Sequence, residues 1–142
     1  MEIVLSIIVL LVFIFGLLEF RIHNKYLYNI PIRIHVNGSR GKSSVVRLIA
    51  SGLREGGLRT FGKTTGTSPR IIDNQGHDRY IHRLRSASIG EQISLIRYFS
   101  KLNPDALVIE CMAVNPQYQW VSEQKIVKSS IGVLTNVRPD HL

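Results

Sequence analysis

Only one cysteine, Cys111, occurs in 142 residues. This excludes an internal disulfide framework and any zinc site built from a cysteine cluster. Acidic side chains are scarce, with 10 Asp and Glu against 18 Lys and Arg, a formal charge of +8. Such a balance, with 44% hydrophobic residues, excludes a disordered acidic tail. No helix-turn-helix, zinc-finger or RNA-binding signature accompanies the basic charge, so no nucleic-acid partner is expected. There is no internal repeat and no low-complexity stretch. The length suits one domain of roughly 100–150 residues and excludes two complete ones.

Charge is missing altogether between Glu2 and Glu19, where the chain reads IVLSIIVLLVFIFGLL from Ile3 to Leu18. As a helix through Phe20 this run rises about 27 Å at about 1.5 Å per residue. That approaches the roughly 30 Å hydrocarbon core of a bilayer. In a soluble core the run would need protein on every side, and the remaining residues must build a core of their own. A cleaved signal peptide would want a positive start and a small-residue cleavage site. The sequence has Met1-Glu2 at its start and leaves the run through EFRIHNK. Residues 1–22 are therefore expected to form a single-pass membrane anchor. Arg21, Lys25 and Arg33 follow the run and no Lys or Arg precedes it. Positive residues stay inside, so the body, residues 23–142, is expected in the cytoplasm. Residues 21 to 101 carry 15 basic side chains and 4 acidic ones. Such an excess suits anionic lipid headgroups or a polyanionic substrate.

The body alternates strand and helix signals. Pro31 to Val36 alternates apolar and polar residues as a strand does. Ser43 to Glu55 places Val46, Ile49, Ala50 and Leu53 at helical spacing, and Gly56-Gly57 stops it. Leu58 to Thr64 reads as a second strand. Arg70 to Arg83 reads as two short strands around Asp73-Asn74-Gln75-Gly76. Gly90 to Leu102 is an expected helix, broken by Asn103-Pro104. Ala106 to Ile109 is an apolar run of the kind buried on both faces. Gln117 to Val127 is a further expected helix, with Tyr118 and Trp120 packing it. Ser130 to Val137 is a fourth main strand. This order implies an α/β fold with a mostly parallel sheet and helices on its faces.

The most informative segment is Asn37-Gly38-Ser39-Arg40-Gly41-Lys42-Ser43-Ser44, between an expected strand and an expected helix. Glycines let successive backbone N–H groups face an anion, and the helix adds its positive end. Lys42 is placed to reach terminal phosphates, and the Ser43 hydroxyl to meet Mg²⁺. The pattern is G-x-x-G-K-S, shorter than G-x-x-x-x-G-K-[ST], because Val36 stands where the longer form has glycine. A Gly-Ser-rich surface turn is the plainer alternative. Open parallel sheets bind ligands beyond the carboxyl ends of their strands. Three further segments fall there: Thr64 to Pro69, Glu110, and Thr135 to His141. A carboxylate closing an apolar strand packs poorly but suits Mg²⁺, the alternative for Glu110 being an ion pair with an arginine. Cys111 reads as a small apolar filler.

Taken in order, NGSRGKSS, KTTGTSP, ALVIE and TNVRPDHL resemble the Mur-ligase-like ATP-dependent amide ligases. Within that family, the amino-terminal apolar run, GSRGKSS and IECMAVNP are similar to the ligase subunits of poly-γ-glutamate synthases, the capsule-synthesis type. The resemblance implies a Mur-ligase-like central ATPase domain with ATP and Mg²⁺ as cofactors. The implied reaction activates a carboxylate as an acyl phosphate, which an amine then attacks. It implies glutamate or poly-γ-glutamate as substrate, membrane subunits of a polymer synthase-export complex as partners, and the cell membrane as location. By resemblance, Asn37 through Ser44 cradle ATP, and Lys42, Glu110 and His141 are the catalytic candidates. Ser43 and Glu110 hold a first Mg²⁺, with Ser68 a further candidate, and His141 a second metal. Thr67 and Asn136 are candidate substrate contacts. The family continues beyond Leu142, so these residues alone are expected to show little ligase activity. Two other classes fit the same residues: a different phosphate-loop NTPase or kinase, and a non-catalytic membrane-anchored docking subunit.

Overall fold

The computed structural model describes residues 1–66, 68–82 and 88–138. Its order is α1 (Glu2–Tyr28), β1 (Ile32–Asn37), α2 (Lys42–Glu55), β2 (Thr60–Thr64), β3 (Arg70–Ile72), β4 (Asp78–Tyr80), α3 (Ile89–Ser100), β5 (Ala106–Glu110), α4 (Pro116–Val121) and β6 (Ile131–Leu134). The strands form one sheet in the order β4-β3-β2-β5-β1-β6. β2, β5, β1 and β6 are parallel; β3 and β4 extend the β2 edge antiparallel. The α/β, mostly parallel architecture expected from the alternation is therefore present.

β5 lies at the centre of the parallel strands, and every residue from Ala106 to Glu110 is buried. Its unbroken apolar run is what a strand covered on both faces requires. One face packs Ile34, Val36 and Val108 against Val46 and Ala50 of α2. The opposite face packs Phe61, Leu107 and Ile109 against Ile96 and Phe99 of α3, Ile126 and Val127, and Leu27 of α1. Each large apolar side chain buried this way contributes about 1.5–3 kcal/mol. The result is a three-layer sandwich whose carboxyl edge gathers the ends of β1, β2, β5 and β6.

The expected helix over 117–127 is continuous but changes pitch. α4 gives way at Ser122 to a π-helical extension through Val127, in which the Lys128 amide donates to the Glu123 carbonyl five residues back at 2.8 Å. The extra residue per turn rotates Ile126 and Val127 into the core and leaves Lys128 to end the helix with φ 45°. Tyr118 and Trp120 do not pack the helix as expected; each is 58% exposed.

α1 also runs further than its apolar segment. Beyond Phe20 the helix continues to Tyr28 and buries His23 and Leu27 against the body. Its apolar part is exposed, and α1 is long and apolar enough to cross a membrane.

Candidate functional site

β1 ends at Asn37 and the chain turns through Gly38 into α2. Gly38 has φ 135°, and a Cβ there would collide with Thr135 Oγ1 and lie 2.9 Å from the Asn136 carbonyl. Gly41 takes φ 79° immediately before α2. Both glycines are thus fixed by backbone geometry that other residues rarely adopt. α3 and α4 carry side-chain caps, from Ser88 and Asn115. α2 carries none. Gly41, its N-cap, has no side chain to cap the first-turn N–H groups, an arrangement that suits an external acceptor such as a phosphate.

Glu110 closes β5 and is buried, yet among the described residues it has no arginine partner. Its Oε2 accepts from the Ser43 hydroxyl at 2.7 Å and from the Thr65 amide at 2.8 Å. One carboxylate therefore ties together the end of β5, the start of α2 and the segment after β2. Gly66 leaves room here, since a Cβ on it would lie 3.3 Å from Ser43 Oγ. Lys42 Nζ donates to the Gly38 carbonyl at 2.7 Å, folding over the loop it follows.

Asn136 meets the loop. Its Oδ1 accepts from the Arg40 amide at 3.1 Å, and its Nδ2 donates to the Arg40 carbonyl at 3.0 Å. The Ser39 amide donates to the Asn136 carbonyl at 3.1 Å, and Thr135 Oγ1 to the Arg40 carbonyl at 2.8 Å. Ser39 Oγ accepts from the Arg138 amide at 2.9 Å. The segment after β6 therefore clamps the glycine loop, and the Asn136 side chain is occupied by backbone. A cleft of about 210 Å³ opens beside it, lined by Asn37, Gly38, Lys42, Val114, Gln119 and Asn136. Ser68 is exposed beyond β2. Ser44 lies in the first turn of α2. Thr67 and His141 lie outside the described residues.

Two features of the site have little signal in sequence. Gln119 accepts from Asn37 Nδ2 at 3.0 Å and donates to the Ala113 carbonyl at 3.2 Å, joining the loop to the segment after β5. The helical periodicity places Gln119 on α4 but says nothing of what it faces. His35, in the alternating strand, is buried and its Nδ1 lies 2.7 Å from Glu123 Oε2. Glu123 also accepts from the Ser129 hydroxyl at 2.7 Å and the Ser129 amide at 3.0 Å.

Burial lowers the His35 imidazole below its ordinary 6.5, and the hydrogen bond to Glu123 opposes this without cancelling it. The neutral ring donates from Nδ1 to Glu123. Burial alone would raise the Glu123 carboxyl, but the bonds from Ser129 and His35 together hold it below its ordinary 4.5. Below pH 6.5 the unfolded chain takes up a proton at His35 that the folded chain refuses, so stability falls with pH. The depressed Glu123 carboxyl adds loss of the same sign at lower pH. The melting temperature is expected to drop between about pH 7.5 and about pH 5.5, and His35→Gln to flatten that slope. A slope unchanged by the substitution would contradict the assignment. Burial also pushes the Cys111 thiol up, which suits a packing role.

A mostly parallel sheet with a glycine loop, a following helix and a buried carboxylate at its carboxyl edge defines an α/β domain with an open site at that edge. Residues 36–142 match the Mur ligase middle domain, and the chain belongs to the Mur ligase family. It is 40% identical over 144 residues to "Capsule biosynthesis protein CapB" of Bacillus anthracis, covering 98% of this chain and 30% of the relative. It is 40% identical over 133 residues to "PGA synthase CapB" of Bacillus subtilis (strain 168), covering 92% of this chain and 34% of the relative. The chain thus spans about a third of the length of these curated relatives.

Proposed function

We propose that the chain supplies the phosphate-binding part of an ATP-dependent ligase that joins glutamate units through γ-amide bonds in capsule polymer synthesis. The observation that carries this reading is the Ser43–Glu110 contact beside an uncapped α2, directly after G-x-x-G-K-S. The loop N–H groups and Lys42 bind the β- and γ-phosphates. Ser43 and Glu110 present two oxygens side by side, a donor set that fits Mg²⁺, which favours oxygen ligands and keeps several positions for phosphate and water. Phosphate oxygens and water take the remaining positions. The ion supplies neutralisation of phosphate charge when bound.

The chemistry then balances in two steps. A carboxylate oxygen attacks the γ-phosphorus and the bond to ADP breaks, giving an acyl phosphate. An amine attacks the acyl carbon, the C–N bond forms, the C–O bond to phosphate breaks, and phosphate leaves while the amine loses its proton. Little covalent work falls to the protein; positioning and charge stabilisation carry the rate. Lys42 stabilises charge developing at the β/γ bridge. The remaining site groups proposed from the resemblance are Ser68 and His141 for metal and Thr67 for substrate.

The surrounding basic charge concentrates a polyanionic substrate. α1 is proposed to span the cell membrane once, with the body in the cytoplasm because Arg21, Lys25 and Arg33 follow the apolar run and no Lys or Arg precedes it. Membrane subunits of a synthase-export complex are the proposed partners. The whole protein is expected to hydrolyse ATP in a Mg²⁺- and glutamate-dependent manner, measured by phosphate release. Equal release with and without glutamate would overturn the ligase reading in favour of another phosphate-loop NTPase.

A further inference from the structure

The end of α1 is joined to the body without a linker. Arg97 of α3 forms an ion pair with Glu19, immediately after the apolar run. Lys128 Nζ lies 5.1 Å from the Phe20 ring centroid. The same ammonium donates to Asn24 Oδ1 at 2.9 Å. His23 Nε2 lies 2.8 Å from the Ile126 carbonyl, and Leu27 is in the core. These contacts follow one another along a single unbroken helix. A helix that leaves a bilayer at Phe20 therefore brings the body within about one turn, roughly 5 Å, of the headgroups. The polar contacts are all made by α3, the π-helical extension and Lys128, on the sheet face opposite α2.

That face carries an exposed stripe of unusual composition. Trp120 is 58% exposed. Lys125 Nζ lies 5.8 Å from the Trp120 ring. The stripe continues along the same helix to Lys128 and so to Phe20 of α1. Acidic side chains nearby do not offset it: Glu123 is turned to His35 and Ser129, and Glu19 to Arg97. Tryptophan and lysine together suit the headgroup level, where a ring is half in apolar surroundings and an ammonium meets phosphate. Basic side chains near an anionic leaflet each add attraction.

We propose that the Trp120–Lys125 pair lies on the anionic headgroups of the membrane that α1 enters, holding the body at a fixed tilt. The proposal rests on the reading of α1 as a spanning helix. Fixed tilt gives the cleft beside the phosphate loop one set orientation relative to the bilayer, so that a growing polymer leaves the site in a constant direction.

Trp120 is the chain's one tryptophan, which makes it a reporter. The chain is placed in nanodiscs of phosphatidylcholine alone or with phosphatidylglycerol, and acrylamide quenching and the emission maximum are read. In the anionic discs quenching is expected to fall about two- to fivefold, with a blue shift, and Lys125→Glu to remove most of the difference. Lys125 is exposed, and circular dichroism checks that the variant is folded. Equal quenching in both discs, with the chain retained in each, overturns the headgroup contact while leaving the span intact. A chain retained in neither disc overturns the span as well. Trp120 emission that answers to an added γ-linked glutamate oligomer, and not to phosphatidylglycerol, assigns the pair to substrate and overturns the proposal.

Discussion

Lys42→Ala in the whole protein should lower Mg²⁺-dependent ATP turnover by at least about 10²-fold, the scale of losing one preorganised donor to developing charge. The structure says why the fold should survive. Lys42 begins α2, a position where alanine is a good helix former. Its ammonium bonds the Gly38 carbonyl at the edge of an open cleft. The melting temperature without nucleotide should therefore hardly move, and the added stability that ATP confers should largely disappear. Turnover within a few-fold of wild type would remove Lys42 from the site. Arginine is not expected to rescue, because its planar fork does not reproduce a compact ammonium reaching between phosphates.

Glu110 gives the second large effect, and two substitutions separate its two roles. Glu110→Gln keeps the size of the side chain and an oxygen that accepts from the Thr65 amide and the Ser43 hydroxyl. It removes the negative charge that a magnesium ion needs. The Mg²⁺ concentration for half-maximal turnover should rise at least about tenfold with little change in melting temperature, since carboxylate charge sets affinity for hard cations. Glu110→Leu instead leaves the Thr65 amide and Ser43 hydroxyl without their acceptor in a buried setting. That should cost about 1–3 kcal/mol of stability on top of the lost activity. An unchanged Mg²⁺ requirement in Glu110→Gln would leave Glu110 a structural tie alone.

The parallel core was legible because its signals are local. ALVIE can only be a strand buried on both faces, and Val46, Ile49, Ala50 and Leu53 can only turn one apolar stripe to a sheet. The glycine turn between β1 and α2 was legible because its glycines answer a backbone requirement, seen in φ 135° at Gly38 and φ 79° at Gly41. The clamp on that loop was not. Asn136 stands 96 residues from Arg40, and only the pairing of β1 with β6 brings them together. The Gln119 bridge and the His35–Glu123 pair depend likewise on where a helix crosses a sheet. The π-helical extension hid in the periodicity, because one extra residue in a turn shifts a face without ending the helix. Tyr118 and Trp120 face outward from α4, and the buried face belongs to Ser122, Ile126 and Val127 of the extension. The apolar run of α1 was readable, but its continuation to Tyr28 was not. Residues 21–28 are mostly polar or aromatic, and only contact with the body gives them partners.

The central claim is that this loop serves ligation through an acyl phosphate. The most direct test supplies the whole protein with Mg²⁺, ATP and glutamate labelled with ¹⁸O in its carboxylates, and examines the phosphate released. Attack of a carboxylate oxygen on the γ-phosphorus and later cleavage of the C–O bond must carry one labelled oxygen into phosphate for each amide formed. Singly labelled phosphate in step with amide formation is the predicted result. Amide formed with unlabelled phosphate would contradict the claim.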